Sequence, residues 1–341
     1  MAVVQLDADG WLLNPSGEPV RADRLSRHLA DRLTPPPWAT DIIVYVHGWR
    51  TSGTAAISSA LRLMGLMERQ RAGRAPLYPR LDRRYAPWVV VVCWPSSSRL
   101  SFAGYETIRE QAHAMGARGK GYAPHVIGHL LGYLHSERGD PTADTLRTRN
   151  GQYLHLVGHS FGGRLLCEAV TWAAEAGRGG TLGWRVPTHP SRPFTVDSLT
   201  VFQMAAPVTA FDSLFKYLRP GPRGHMPPVG GPLVFTYSRY DRAAGLWHLI
   251  GEKAPGIGHS GMRLSAAADT LAPNDVWRTA LLRADTPYPR TSLDHVFVNI
   301  DASWRYRHNR LNRSGAHSDI YHPESAHLLL SLADHSRPDE A

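Results

Sequence analysis

Tyr153-Leu154-His155-Leu156-Val157-Gly158-His159-Ser160-Phe161-Gly162-Gly163 lies near the middle of the 341-residue chain, and the expected architecture grows from it. Tyr153–Val157 is a short apolar run of strand length, and Arg164–Ala176 beyond it carries a helical pattern. Between them the chain spells Gly-x-Ser-x-Gly. A serine at a sharp strand-to-helix corner sits in a strained backbone conformation. Bulky residues two positions before or after it would strike neighbouring backbone, which accounts for Gly158 and Gly162. The corner lifts Ser160 above the end of the sheet, beside the positive end of the following helix. A glycine-rich turn whose serine merely caps the helix is the competing explanation.

Further apolar runs of the same kind lie on either side, at Ile42–Val46, Val89–Cys93, Leu199–Phe202, Leu233–Tyr237 and Val296–Ile300. Short, rich in β-branched residues and closed by turn residues, they read as buried parallel strands. Thr54–Arg71 carries Ile57, Leu61, Met64 and Met67 at spacings of four and three, the stripe of an amphipathic helix, and Val126–Ser136 reads similarly. Alternation of strands with helices calls for a mostly parallel sheet covered on both faces. Residues 1–40 read as an extension packed on that core, turn-rich at Asp7–Gly10 and Asn14–Gly17 and helical over Arg21–Leu33. One domain over 41–335 is expected, with insertions at about 173–198, 208–232 and 245–294, and a tail at 336–341.

Hydrophobic residues make up 43% of the chain, enough for a substantial core. The sequence holds no apolar run of about 18 residues, so no membrane-spanning helix is expected. Its first residues lack the basic and apolar regions of a secretory signal. Cys93 and Cys167 fall in a strand and a helix and read as small core residues, so a cytoplasmic setting is expected. The net charge of +9 comes almost wholly from arginine, the only lysines being Lys120, Lys216 and Lys253. These arginines are spread along the chain without a recognition module, so no nucleic-acid partner is expected. Peripheral contact with an anionic membrane stays open. The group Arg305, Arg307, Arg310 and Arg313 stands apart because it precedes a candidate reactive loop.

These segments together resemble the α/β-hydrolase family. Val44-Tyr45-Val46-His47-Gly48-Trp49 is similar to that family's early strand and His-Gly turn. Trp94-Pro95-Ser96, after Val89–Cys93, resembles the tripeptide of one poorly characterised branch. The resemblance covers roughly residues 40–335 and implies an α/β-hydrolase fold with loop or lid insertions and Ser160 as nucleophile. It also implies an oxyanion hole formed by the backbone N–H groups of Trp49 and Phe161. Amides aimed at a developing oxyanion need no proton transfer and little reorganisation, so such holes contribute several kcal/mol.

A serine hydroxyl needs a base within hydrogen-bond reach, and the base needs a carboxylate to hold its tautomer. The family's chain order is serine, acid, histidine. Asp241, in the loop after Leu233–Tyr237, is the preferred acid, with a surface ion pair to Arg239 or Arg242 as the bland alternative. Asp212 is its rival. Among 18 histidines, His317 in Ser314-Gly315-Ala316-His317-Ser318-Asp319 is the preferred base, because small residues around it let the ring reach inward from a loop. His322 directly precedes Pro323 and reads as a helix-start residue. His327 and His335 read as structural or exposed, and His159 as a packing residue.

The expected chemistry is hydrolysis of a carboxylic ester through an acyl-enzyme, on a small-molecule or lipid acyl substrate. A peptidase or thioesterase with the same triad, or an inactive hydrolase-fold binding protein, are the alternatives. Leu246, Trp247, Leu249 and Ile250 read either as a lid over an acyl pocket or as ordinary core. No zinc, calcium or phosphate-loop pattern occurs, so no cofactor is expected.

Overall fold

Each of the six apolar runs forms a strand in the computed structural model. The structure describes residues 1–49, 51–81, 85–97, 101–116, 121–137, 152–176, 195–219, 227–265, 276–308 and 314–337. The expected strands are β3 (Asp41–Val46), β4 (Pro87–Cys93), β5 (Tyr153–His159), β6 (Ser198–Phe202), β7 (Leu233–Tyr237) and β9 (Phe297–Asp301). Three more appear: β1 (Ala2–Leu6), β2 (Leu12–Leu13) and β8 (Val276–Ala280). Among the described residues these nine make one sheet in the order β2-β1-β4-β3-β5-β6-β7-β9-β8. Every pairing is parallel except β1 with β2.

Parallel strands need helical crossovers, and both faces are covered. The helices are α1 (Leu25–Leu33), α2 (Gly53–Arg74), α3 (Phe102–Gly116), α4 (Ala123–Glu137) and α5 (Phe161–Ala176). Four short ones follow, α6 (Ala210–Ser213), α7 (His248–Glu252), α8 (Ile257–Ser260) and α9 (Arg290–Leu293), before α10 (Pro323–His335). Strand alternation divides the interior into two cores. Ile42, Val44 and Val46 of β3, with Val90 and Val92 of β4, pack with α1, α3, α4 and α5. Ile43 and Tyr45, with Val89, Val91 and Cys93, pack with α2 and α10.

The strand order reverses around β3. Chain direction runs from β3 outward to β4, then returns past β3 to β5 and continues through β6 and β7. Adjacent strands whose connections leave in opposite directions open a crevice at their carboxyl ends. At this switch point the loop after β3, which holds His47-Gly48-Trp49, packs closely on the turn after β5, which holds Ser160.

Residues 1–40 pack on the core, β1 pairing with β4 and burying Val4 and Leu6. The stretch 245–294 is no single irregular excursion, since β8 within it adds an edge strand to β9. Arg337 reaches the amino end of the sheet, where its Nη2 lies 2.7 Å from the fully buried Asp41 carboxylate and its guanidinium stands over the Tyr153 ring. Positions 82–84, 177–194, 220–226, 266–275, 309–313 and 338–341 lie outside the described residues, and with them Arg310, Arg313 and parts of all three expected insertions. Among the described residues no helix is long and apolar enough to cross a membrane.

Candidate active site

Ser160 has φ of 55°, a left-handed conformation that an L-residue adopts only when its surroundings impose it. Its N–H donates to the Phe202 carbonyl of β6 at 2.9 Å. Glycine is required around it by close approach. A Cβ on Gly162 would lie 2.3 Å from the His47 carbonyl oxygen, and one on Gly158 would lie 2.4 Å from Gly163 Cα. The elbow is thus wedged against the end of β3, which fixes the serine relative to the His-Gly turn.

Asp241 follows β7, and its loop is closed by the Asp241 N–H donating to Ser238 O at 2.9 Å. One carboxylate oxygen, Oδ1, accepts the Ala244 N–H at 2.8 Å. The other, Oδ2, faces His317 Nδ1 at 2.8 Å. His317 Nε2 lies 2.7 Å from Ser160 Oγ. Since the carboxylate accepts, Nδ1 carries the proton and Nε2 is left to accept the serine O–H. Side chains at 160, 241 and 317, far apart in the chain, therefore form one continuous hydrogen-bonded line.

Backbone pairing aligns the acid with the histidine. Asp241 and Gly315 form an antiparallel bridge, with Ala316 N–H donating to Tyr240 O at 2.9 Å and Ala243 N–H to Ser314 O at 3.2 Å. Gly315 has φ of 61°, and a Cβ there would meet the Tyr240 carbonyl oxygen at 2.1 Å. His159 tethers the other side of the loop, its Nε2–H donating to the His317 carbonyl at 2.9 Å. Burial and the neighbouring His317 lower His159 to about 3, so it stays neutral and serves as a hydrogen-bond donor.

The tripeptide after β4 clamps the His-Gly turn. Trp94 N–H donates to His47 Nε2 at 3.1 Å, and the indole Nε1–H donates to His47 O at 2.8 Å. His47 Nδ1–H donates onward to Gly48 O at 3.0 Å. Ser96 Oγ accepts from Thr51 N–H and donates to Thr51 O. Burial lowers His47 to about 4 and keeps it neutral. Trp94 and Ser96 therefore fix the loop that carries Trp49, a role that sequence reading had not given them.

A hydrolase needs an accessible hydroxyl at 160, and the structure buries it. Ser160 and Asp241 are 0% exposed and His317 is 5% exposed. Tyr105 of α3 packs edge-on against Trp49, with centroids 5.8 Å apart, and tilted against Phe161 at 5.6 Å. An aromatic layer from α3 thus lies against both residues expected to supply the oxyanion amides. Tyr105 sits in a stripe with Ile108, Ala112 and Met115, all buried, at helical spacings of three, four and three. That signal was readable in the sequence.

The rival residues lie elsewhere. Asp212 accepts the Ser265 N–H at 3.0 Å and pairs with Arg219. His322 is the N-cap of α10 and donates to Asp319 at 2.8 Å. His327 is buried, with Nδ1 2.6 Å from the Tyr78 hydroxyl. His335, in the last turn of α10, is half-buried. Arg239 stands over the Tyr240 ring rather than against Asp241. Leu246, Leu249 and Ile250 are exposed on the segment after Asp241, and the Trp247 side chain lies outside the described residues. Among the described residues no group of three or more His, Cys, Asp or Glu side chains is arranged to hold a metal ion.

No protein-family model matches the chain, and neither does any curated protein. The arrangement of side chains carries the case for chemistry. It joins a carboxylate, an imidazole and a hydroxyl in the order needed to draw a proton off the hydroxyl as it attacks.

Proposed function

We propose that the chain is a serine hydrolase of the α/β-hydrolase fold that cleaves a carboxylic ester through an acyl-enzyme. The observation that carries this reading is the line Asp241 Oδ2–His317 Nδ1 at 2.8 Å and His317 Nε2–Ser160 Oγ at 2.7 Å, on a strained elbow at the switch point of a parallel sheet. The chain order of serine, acid and histidine supports the fold assignment.

In this reading His317 Nε2 takes the Ser160 proton as Oγ attacks the acyl carbon. Asp241 holds the tautomer and stabilises the imidazolium. The Trp49 and Phe161 amides receive the carbonyl oxygen as it gains charge; Phe161 opens α5, so its amide belongs to the first turn, where N–H groups lack helical partners. The imidazolium then protonates the departing alkoxide. In the second half-reaction His317 activates a water, which releases the acid.

Ser160 is buried, so in this reading the substrate reaches it only after neighbouring side chains move. Tyr105 of α3, packed on Trp49 and Phe161, is one aromatic side chain beside this site. The substrate is a small-molecule or lipid acyl ester.

The buried hydroxyl also favours a second reading, a binding protein on an inactive hydrolase frame. Labelling by a fluorophosphonate probe separates the two. The hydrolase reading predicts a covalent adduct that disappears in Ser160→Ala and His317→Ala. A folded wild-type protein that never labels supports the binding protein instead.

A further inference from the structure

The loop that carries His317 has a second side. Ser314, Gly315 and Ser318 line a cavity of about 330 Å³, shared with Arg62, His308, Asp319, Tyr321 and His322. It overlaps a larger cavity of about 680 Å³, whose wall adds Arg305 and Arg307. Neither cavity is lined by Ser160, Asp241 or His317, although Ser318 follows His317 directly in the chain.

The chemistry of this cleft is cationic, and its acids are already engaged. Asp319 accepts the Arg307 and His308 backbone N–H groups at 2.9 and 2.8 Å on Oδ2, and His322 Nε2–H at 2.8 Å on Oδ1. Glu324 is bound by Arg305 Nε at 2.9 Å. Arg62 projects from α2 and is steadied 4.7 Å above the Tyr321 ring. Three guanidiniums and two imidazoles thus converge from α2, from the chain after β9 and from the start of α10. The amino end of α10, a 13-residue helix capped by His322, adds its positive end to the same wall. One guanidinium fork satisfies a carboxylate. Arg62 from α2 and Arg307 and the unengaged edge of Arg305 from the chain after β9 approach from two sides, which suits a tetrahedral oxyanion with oxygens pointing several ways.

We propose that the cleft formed by Arg62, Arg305, Arg307, His308 and His322 binds a phosphate-type oxyanion. The anion is held there, and no bond to phosphorus is made or broken.

Titration of the protein with inorganic phosphate, compared with Arg62→Gln and Arg307→Gln, tests this. Saturable binding that each variant weakens on the order of tenfold is expected. Absence of binding, or equal binding by all three proteins, overturns the cleft as an anion site. So does retention on phosphatidic acid vesicles without any saturable binding of inorganic phosphate, which places the anion on a membrane surface.

Discussion

Gly315→Ala isolates the device that brings the acid and the histidine into line. At φ of 61° an alanine costs about 1 kcal/mol relative to glycine. Its Cβ also lands 2.1 Å from the Tyr240 carbonyl oxygen and 2.7 Å from the Arg242 nitrogen, both backbone atoms that cannot rotate away. Overpacking of this kind costs about 1–3 kcal/mol, so the total is about 2–4 kcal/mol. At roughly 2 °C per kcal/mol for a chain of this size, Tm falls by about 4–8 °C. Restoring ordinary contact at 3.4 Å means a retreat of 1.3 Å (3.4 minus 2.1). Carried to His317, that shift breaks the 2.8 Å bond to Asp241. Displacement of a reacting group by about 1 Å costs on the order of 10²-fold in rate. The assay is the fluorophosphonate labelling rate of the folded variant, alongside calorimetry. Gly17→Ala is the control: its φ is 82° but a Cβ there meets nothing within 4 Å, so it loses about 1 kcal/mol and labels at the wild-type rate. A Gly315→Ala protein that folds and labels within about twofold of wild type refutes the argument that this bridge holds the histidine.

Other outcomes follow from the same geometry. Burial holds His159 at about 3 and His47 at about 4, against about 6.5 in an unfolded chain. The folded state therefore binds fewer protons below pH 6.5, and stability is lost as pH falls towards those values, at about 1.4 kcal/mol per pH unit for each group. His159→Gln keeps an N–H for the His317 carbonyl without titrating; its slope of stability between pH 6 and 5 is shallower than wild type by about one group, and an unchanged slope contradicts the assignment. Asp41→Asn uncouples the buried pair with Arg337 and costs about 3–5 kcal/mol in urea unfolding, where a loss below about 1 kcal/mol counts against it. Burial alone would push the Asp41 carboxyl up, but the His155 bond and the Arg337 charge hold it below the usual range. Its contribution is thus complete above about pH 4 and disappears as pH falls through the lowered value. Trp94→Phe removes the indole donor to His47 O and slows labelling on the order of tenfold with a stability loss of about 1–3 kcal/mol; full labelling would show that the clamp on the Trp49 loop is dispensable.

The parts of the molecule that depend on local pattern were legible in the sequence. Six strands were, because a strand buried on both faces must be a continuous apolar run. The elbow was, because two glycines and a serine at fixed spacing answer to close backbone contacts at Gly158 and Gly162. Asp241 was singled out by its place after a strand, and His317 by the small residues that flank it. What was missed depends on partners distant in sequence. β8 exposes most of its side chains, so Val276–Ala280 carries no apolar run, and only pairing with β9 makes it a strand. β1 is half exposed and becomes a strand through β4, some 85 residues later. Arg337 shows no local sign that it will meet Asp41. The burial of Ser160 is of the same kind, since no motif near it announces which distant side chains will pack around it.

The central claim is that Ser160 is a nucleophile primed by His317 and Asp241. Mass spectrometry of the protein after reaction with a fluorophosphonate tests it most directly. The account predicts one adduct, on the peptide containing Ser160, formed by wild type and absent from His317→Ala. A correctly folded wild-type protein that carries no adduct, or carries it on another residue while Ser160 stays free, contradicts the account.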